Sequence, residues 1–231
     1  MEDEEDKPVK LSERLEMAVS LVTPGHTAAD IGTDHGFVPV RLVESGRSPR
    51  ALAMDIGEGP LSRAEEHIRA RGLQDRIETR LSDGLKAYRR GECDTIILTG
   101  MGGELMVRIL EEGWEKMTEQ TELVLSPHTH IEKLREFLDR KGCRICREAC
   151  VPEDGKYYFF CKAVRGDGPG LIRDYLLGDL LQASEDPAFA GWLEKEMQKY
   201  REILERIDPD SVRGKELKQL LARLEERRSG T

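Results

Sequence analysis

Ala28-Ala29-Asp30-Ile31-Gly32-Thr33-Asp34-His35-Gly36-Phe37-Val38-Pro39-Val40 decides how the rest of the chain is arranged. A short apolar run ends in an acid, crosses two glycines and opens into a second apolar stretch, the pattern of a strand, a tight turn and a helix. The glycines let the backbone come close to a ligand, and the new helix offers unpaired N–H groups to something polar. The turn is therefore a candidate nucleoside-binding loop, with Asp34 facing the chemistry.

Upstream of this loop, the spacing of Leu11, Leu15, Ala18 and Val22 predicts a helix that Pro24-Gly25 stops. Downstream, strands and helices alternate as a parallel sheet requires. Strands are expected over 27–31, 51–55, 77–81, 95–98 and 123–125, and helices over 37–44, 60–71, 104–112 and 131–141. Thr95-Ile96-Ile97-Leu98 has the β-branched density of a central strand covered on both faces. The ending changes character: residues 144–151 and 156–164 read as strands joined by Pro152-Glu153-Asp154-Gly155, which is a hairpin signal.

Gly166-Asp167-Gly168-Pro169-Gly170 reads as a linker. Beyond it, helical patterns cover 171–183, 189–207 and 212–227. Trp192, Leu193, Met197, Tyr200, Ile203, Leu204 and Ile207 are spaced to face Leu217, Leu220, Leu221 and Leu224 as an antiparallel pair. The expected organisation is an acidic disordered tail over residues 1–9, a catalytic domain over 10–165 and a helical, coiled-coil-like arm over 171–231.

A net charge of −9 argues against coating nucleic acid through bulk electrostatics but leaves room for a local basic face. Arg41, Arg47 and Arg50 are expected near the cofactor-side loops or the adjacent helix. The arm adds Arg173, Lys195, Lys199, Arg213, Lys215 and Lys218, whose plainer reading is solvated helix charge. No apolar run is long enough to span a bilayer, and the acidic start is unlike a secretory leader, so the expected location is cytoplasmic. The five cysteines are then thiols, and buried or half-buried strand positions are favoured over a metal site.

In an open parallel sheet, ligands lie beyond the carboxyl ends of the strands, where the strand order reverses. Four loops bring acids and glycines to that edge: Asp30 to Gly36, Asp55-Ile56, Ser82-Asp83-Gly84, and Thr99-Gly100-Met101-Gly102-Gly103. Asp55 suits a ribose diol, Asp83 an adenine amino group, and Gly32 and Gly36 give backbone access to the cofactor's amino-acid end. An acid in the middle of a glycine turn serves a pyrophosphate badly and a sulfonium well. This pattern favours S-adenosylmethionine over a nicotinamide cofactor. Five β–α units closed by a hairpin also resemble the seven-stranded, Rossmann-like sheet of S-adenosylmethionine-dependent methyltransferases. Each acid has a plainer role too: Asp30 and Asp55 as caps, Asp83-Gly84 as a turn.

Leu11-Ser12-x-Arg14-Leu15, Asp30-Ile31-Gly32-Thr33-Asp34-His35, Glu58-Gly59-Pro60, Asp83-Gly84-Leu85, Gly100-Met101-Gly102-Gly103 and Glu153-Asp154-Gly155-Lys156 together resemble the bacterial tRNA adenine-N1 methyltransferases that act on adenosine 22 of the D-arm. The resemblance covers the catalytic domain and continues more weakly into the arm. It implies a Rossmann-like class I domain with an arm that helps grip tRNA, and it places catalysis on Asp34. The assigned cofactor loops comprise Asp30, Gly32, Thr33, Asp34, Gly36, Asp55, Ile56, Asp83, Gly84, Gly100, Met101 and Gly102. Arg14, His35 and His128 are assigned to the substrate side; both histidines are read as turn or packing residues before general bases. Ser126-Pro127-His128 stands where the family often has Gln-Pro-Asn, and Asp55 where Glu is common. No metal or membrane is expected. The competing readings are a methyltransferase of another RNA or of a small molecule, and a non-catalytic cofactor- or RNA-binding module.

Overall fold

The computed structural model describes residues 11–166, 168 and 170–230, so the expected tail over 1–9 lies outside the described residues, as do Asp167 and Pro169 of the linker. Seven strands, β1 (Ala28–Ile31), β2 (Ala51–Asp55), β3 (Ile77–Leu81), β4 (Thr95–Met101), β5 (Glu122–Pro127), β6 (Cys143–Glu153) and β7 (Lys156–Arg165), form one sheet in the order β3-β2-β1-β4-β5-β7-β6. The first five are parallel, and β7 runs antiparallel to β5. This is the Rossmann-like methyltransferase sheet that the alternation and the hairpin imply. The strand order reverses between β1 and β4, which fixes where a ligand cleft belongs.

Crossovers are made by α2 (Phe37–Glu44), α3 (Glu58–Ala70), α4 (Gly103–Gly113) and α5 (Ile131–Arg140), preceded by α1 (Glu13–Leu21). Ser12 caps α1, its hydroxyl accepting from the Leu15 N–H. Alternate residues of β2 serve opposite faces of the sheet. Ala51 and Ala53 meet Val40, Val43, Ala64 and Ile68 of α2 and α3. Leu52 and Met54 join the cluster that holds Met106 and Leu110 of α4 with Leu134 and Phe137 of α5. Ile96, Ile97 and Leu98 are fully buried, so β4 is the expected two-sided centre.

The chain divides into two compact units, one of Met1–Glu148 with Tyr158–Asp179, the other of Ala149–Tyr157 with Leu180–Thr231. The second holds α6 (Pro187–Leu204), α7 (Val212–Ser229) and the hairpin tip. Asp186 caps α6 by accepting from the Ala188 and Phe189 N–H groups, with Pro187 at the start of the helix, and Ser211 caps α7. Leu193 and Met197 of α6 and Leu217 and Leu224 of α7 are buried. Arg201–Glu225 at 2.7 Å and Arg228–Glu194 at 2.9 Å pair the two helices in opposite directions.

Residues 171–183 correct the sequence reading, because no helix forms there. Carboxylates take the backbone donors that a helix would use. Asp139 Oδ1 accepts from the N–H groups of Gly170, Leu171 and Ile172, Asp174 Oδ1 from Leu176 and Leu177, and Asp179 from Arg173 and Asp174. Gly178 at φ +75° then turns the segment. The hairpin turn is also tighter than expected. Its two central residues, Asp154 and Gly155, have φ +50° and +72°, the pattern of a two-residue primed turn.

Candidate active site

Beyond the carboxyl ends of β1 and β4 lies a cleft of about 430 Å³, lined by Arg14, Leu15, Asp30, Gly32, Asp34, Phe37, Val38, Thr99, Gly100, Met101 and His128. Two local features open it. Gly32 turns at φ +80°, and a Cβ there would stand 2.6 Å from Met101 Cε. Gly100, at φ +78°, sits where the β4–β5 register shifts between Thr99 and Met101, a bulge that re-aims the end of the strand.

Asp30 is 5% exposed, and burial pushes its carboxyl up from 3.8 to about 6, with the Thr33 hydroxyl opposing the rise and the Asp55 charge adding to it. A carboxyl whose folded pKa is raised keeps its proton in the folded state after the unfolded chain has lost its own. Stability therefore falls as pH climbs from about 4 through about 6. Asp30→Asn removes this cost, so its advantage over the unaltered protein in urea denaturation should widen by about 2 kcal/mol between about pH 4.5 and about pH 8. An equal difference at both pH values contradicts the assignment.

Asp34 is the exposed acid of the cleft, at 71% side-chain exposure. Arg63 Nη2 of α3 donates to its Oδ1 at 3.3 Å, and Arg63 Nε donates to His35 Nε2 at 3.2 Å. His35 lies outside the cleft lining, in a left-handed conformation at φ +58°, its ring stacked on Phe37. Elsewhere in the lining, the Arg14 guanidinium lies 5.1 Å from the centre of the Tyr158 ring, against which His128 packs edge-on.

The other assigned residues hold the loops without lining the cleft. Thr33 is buried, its hydroxyl close enough to the Asp30 carboxyl to favour the charged form but without a well-formed hydrogen bond among the described residues. Gly36, at φ +65°, packs against Ala64. Asp55 Oδ1 accepts from the Gly57 N–H at 2.7 Å, a local turn ahead of α3 and not the helix cap of its plainer reading, since α3 follows Gly57 without a side-chain cap. Ile56 is 68% exposed, and Asp83 is half-buried and ion-paired to Lys86, which holds its carboxyl below the usual range. Gly84, against Ile109, and Gly102, the cap of α4, shape their loops. Ser126 Oγ is buried without a partner among the described residues, whereas His128 is exposed and donates its N–H to the Met101 carbonyl.

Arg47 and Arg50 correct the expected basic face. Their carbonyls accept from Gly25 and Ala28, at the amino end of the sheet and away from the cleft, because α2 carries the chain back across it. Arg41, in the last turn of α2, pairs with Glu16 at 2.8 Å. In the second unit, Lys199, Arg213 and Lys218 pair with Glu196, Glu216 and Asp210, as the solvated-charge reading predicts. Cys93, Cys143, Cys150 and Cys161 are buried free thiols, while Cys146 is exposed, against expectation. Among the described residues no metal-holding cluster occurs, and no helix is long and apolar enough to cross a membrane.

Residues 11–161 match the family described as a methyltransferase domain. Over 226 residues, 94% of this chain and 95% of the relative, the sequence is 34% identical to the tRNA (adenine(22)-N(1))-methyltransferase of Bacillus subtilis. The chain belongs to the tRNA (adenine-22-N1)-methyltransferase family. Two solved structures extend the likeness. The Streptococcus pneumoniae protein Sp1610 in complex with S-adenosyl-L-methionine superposes with a TM-score of 0.85 at 32% identity, covering 95% of this chain and 100% of its own. The Bacillus subtilis m1A22 tRNA methyltransferase TrmK gives 0.82 at 32% identity, covering 95% and 99%.

The geometry brings to the site three residues that the sequence reading did not assign, Tyr158, Phe37 and Arg63. Tyr158 stands two residues beyond Lys156, the last residue of the hairpin motif. Phe37 follows the last glycine of the first loop. Arg63 lies three residues beyond the Glu58-Gly59-Pro60 segment. Only position relative to those segments could have pointed to them.

Proposed function

We propose that the protein transfers the methyl group of S-adenosylmethionine to N1 of adenosine 22 in the D-arm of tRNA. The observation that carries this reading is one cleft at the strand-order reversal, in a chain of this family, that joins a buried acid, an open glycine turn and an exposed acid.

The cleft suits a sulfonium cofactor. A cation close to Asp30 offsets the burial that disfavours its charge. Gly32 leaves the backbone bare where the cofactor's amino-acid end is assigned, and Asp55 keeps one carboxylate oxygen beyond its bond to Gly57. When bound, S-adenosylmethionine supplies the electrophilic methyl group. Adenine N1 carries an in-plane lone pair, so the protein must position the base rather than deprotonate it. N1 is occupied by pairing in a duplex, so the target nucleotide must be unpaired or extruded. Asp34 accepts a hydrogen bond from the N6 amino group, which orients N1 and favours the positive charge developing on the ring. Arg14 and His128, both packed on Tyr158, form the substrate side. A tRNA substrate places the enzyme in the cytoplasm, and the antiparallel pair α6–α7 is the arm that helps grip it.

The test is incubation with labelled S-adenosylmethionine and unmodified tRNA, followed by digestion to nucleosides. Label in 1-methyladenosine, lost when adenosine 22 is replaced by guanosine, is the expected result. Label in any other nucleoside, or cofactor binding without transfer, overturns the reading. Gly32→Ala should weaken S-adenosylmethionine binding about tenfold in calorimetry, since the added methyl meets both the φ +80° backbone and Met101. Unchanged affinity removes Gly32 from the cofactor loop.

A further inference from the structure

Three successive residues of the first loop are held by one face of α3. Arg63 reaches Asp34 and His35, Ala64 packs against Gly36, and His67 Nδ1 donates to the His35 carbonyl at 2.9 Å. Positions 63 and 67 are one helical turn apart and share a face. Phe37 closes the group, stacked on the His35 ring and edge-on to His67.

Two observations show that this contact does more than fill space. His35 is a non-glycine residue at φ +58°, a disfavoured conformation that persists where neighbours over-determine it. Its carbonyl and its ring are both held, and both contacts involve His67 or Phe37. The second concerns the two oxygens of Asp34. Oδ1 accepts from Arg63, whereas Oδ2 has no hydrogen-bond partner among the described residues. An exposed ion pair of this kind contributes little to stability, so its consequence lies in orientation.

We propose that Arg63 and His67 are positioning residues for methyl transfer. They tether Asp34 through Oδ1 and through the fixed His35 backbone, and so leave Oδ2 as the oxygen that accepts from the adenine amino group. The proposal rests on the catalytic reading of Asp34 given above. Arg63 uses its fork: Nη2 and Nε engage two successive residues, a geometry that the single ammonium of lysine reproduces only in part. The guanidinium also brings a positive charge near a base that becomes cationic, so the tether and the charge act in opposite directions, and experiment can tell which dominates.

The test measures methylation of unmodified tRNA under single-turnover conditions, with S-adenosylmethionine affinity measured separately by calorimetry. Arg63→Ala should lower the methyl-transfer rate about tenfold and move cofactor affinity less than about twofold. Arg63→Lys should recover part of the loss, and His67→Ala should lower the rate in the same way without removing a charge next to Asp34. In an Asp34→Asn background, Arg63→Ala should change the residual rate less than about twofold, since the group it orients is already altered. Unchanged or faster transfer by Arg63→Ala overturns the proposal, as does a full additive loss in the double variant. If Asp34→Asn itself retains wild-type turnover, the catalytic reading fails. If Asp34→Asn is inactive while Arg63→Ala and His67→Ala are silent, only the tether fails.

Discussion

Replacing Asp34 by Asn is expected to lower methyl transfer to tRNA by about 100-fold or more, the scale on which a single preorganised electrostatic contact acts, with S-adenosylmethionine affinity nearly unchanged. The substitution keeps size and shape. It removes the negative charge that favours a cationic adenine, and one of the two side-chain acceptors becomes a donor facing the N6 amino group. Asp34 is largely exposed, so the folded state does not depend on it and the variant should denature as the unaltered protein does. Its effect therefore belongs in the rate constant measured at saturating tRNA and cofactor. Turnover within about threefold of the unaltered enzyme removes Asp34 from catalysis. The folded cleft and the family resemblance would both survive that outcome.

The second large effect is structural. Arg135 is fully buried and donates through Nε and Nη2 to Glu148 Oε1 at 2.9 and 2.6 Å, and through Nη1 to the carbonyls of Tyr175 and Leu176. Arg135→Leu leaves a carboxylate that is 1% exposed without this cation and strips two carbonyls of the bonuses of charged donors. Removing one partner of a buried pair costs about 3–5 kcal/mol, which lowers Tm by on the order of 10 °C in a chain of this size. Converting both partners, Arg135→Leu with Glu148→Leu, should recover part of the loss, because no buried charge then remains. A double variant less stable than Arg135→Leu alone shows that Glu148 has stabilising contacts of its own that outweigh its charge.

The parts of the fold that were legible in sequence are those where one signal acts alone. The edges of α2 and β2 fell where expected because Gly36 precedes the first and Arg50 and Asp55 bound the apolar run of the second; β3 also fell where expected, after Arg76. The segment 171–183 misled for a physical reason. Its leucines have helical spacing, but Asp139, 31 to 33 residues upstream, captures the N–H groups of Gly170, Leu171 and Ile172 where the segment begins, and no local pattern reports so distant a partner. The site divided in the same way. Asp30, Gly32, Asp34, Gly100, Met101, Arg14 and His128 do line one cleft, since strand ends in a parallel sheet converge regardless of side-chain detail. Arg63 and Tyr158 escaped because their roles depend on how a helix face and a hairpin strand turn toward the loops. Arg47 and Arg50 were misplaced because charge was counted without following the return of α2 to the opposite sheet edge.

The second compact unit is discontinuous along the chain, drawing Ala149–Tyr157 from the hairpin and the remainder from Leu180 onward. During synthesis the hairpin tip leaves the ribosome before the residues it will share a unit with. Tyr157 waits for Lys195, whose ammonium lies 5.7 Å from its ring centre, and the Gly155 carbonyl waits for the same side chain, which donates at 2.7 Å. Sequence made after the linker thus completes a unit begun before it, so a stop codon placed ahead of α6 would orphan a stretch of finished sheet rather than release an independent domain.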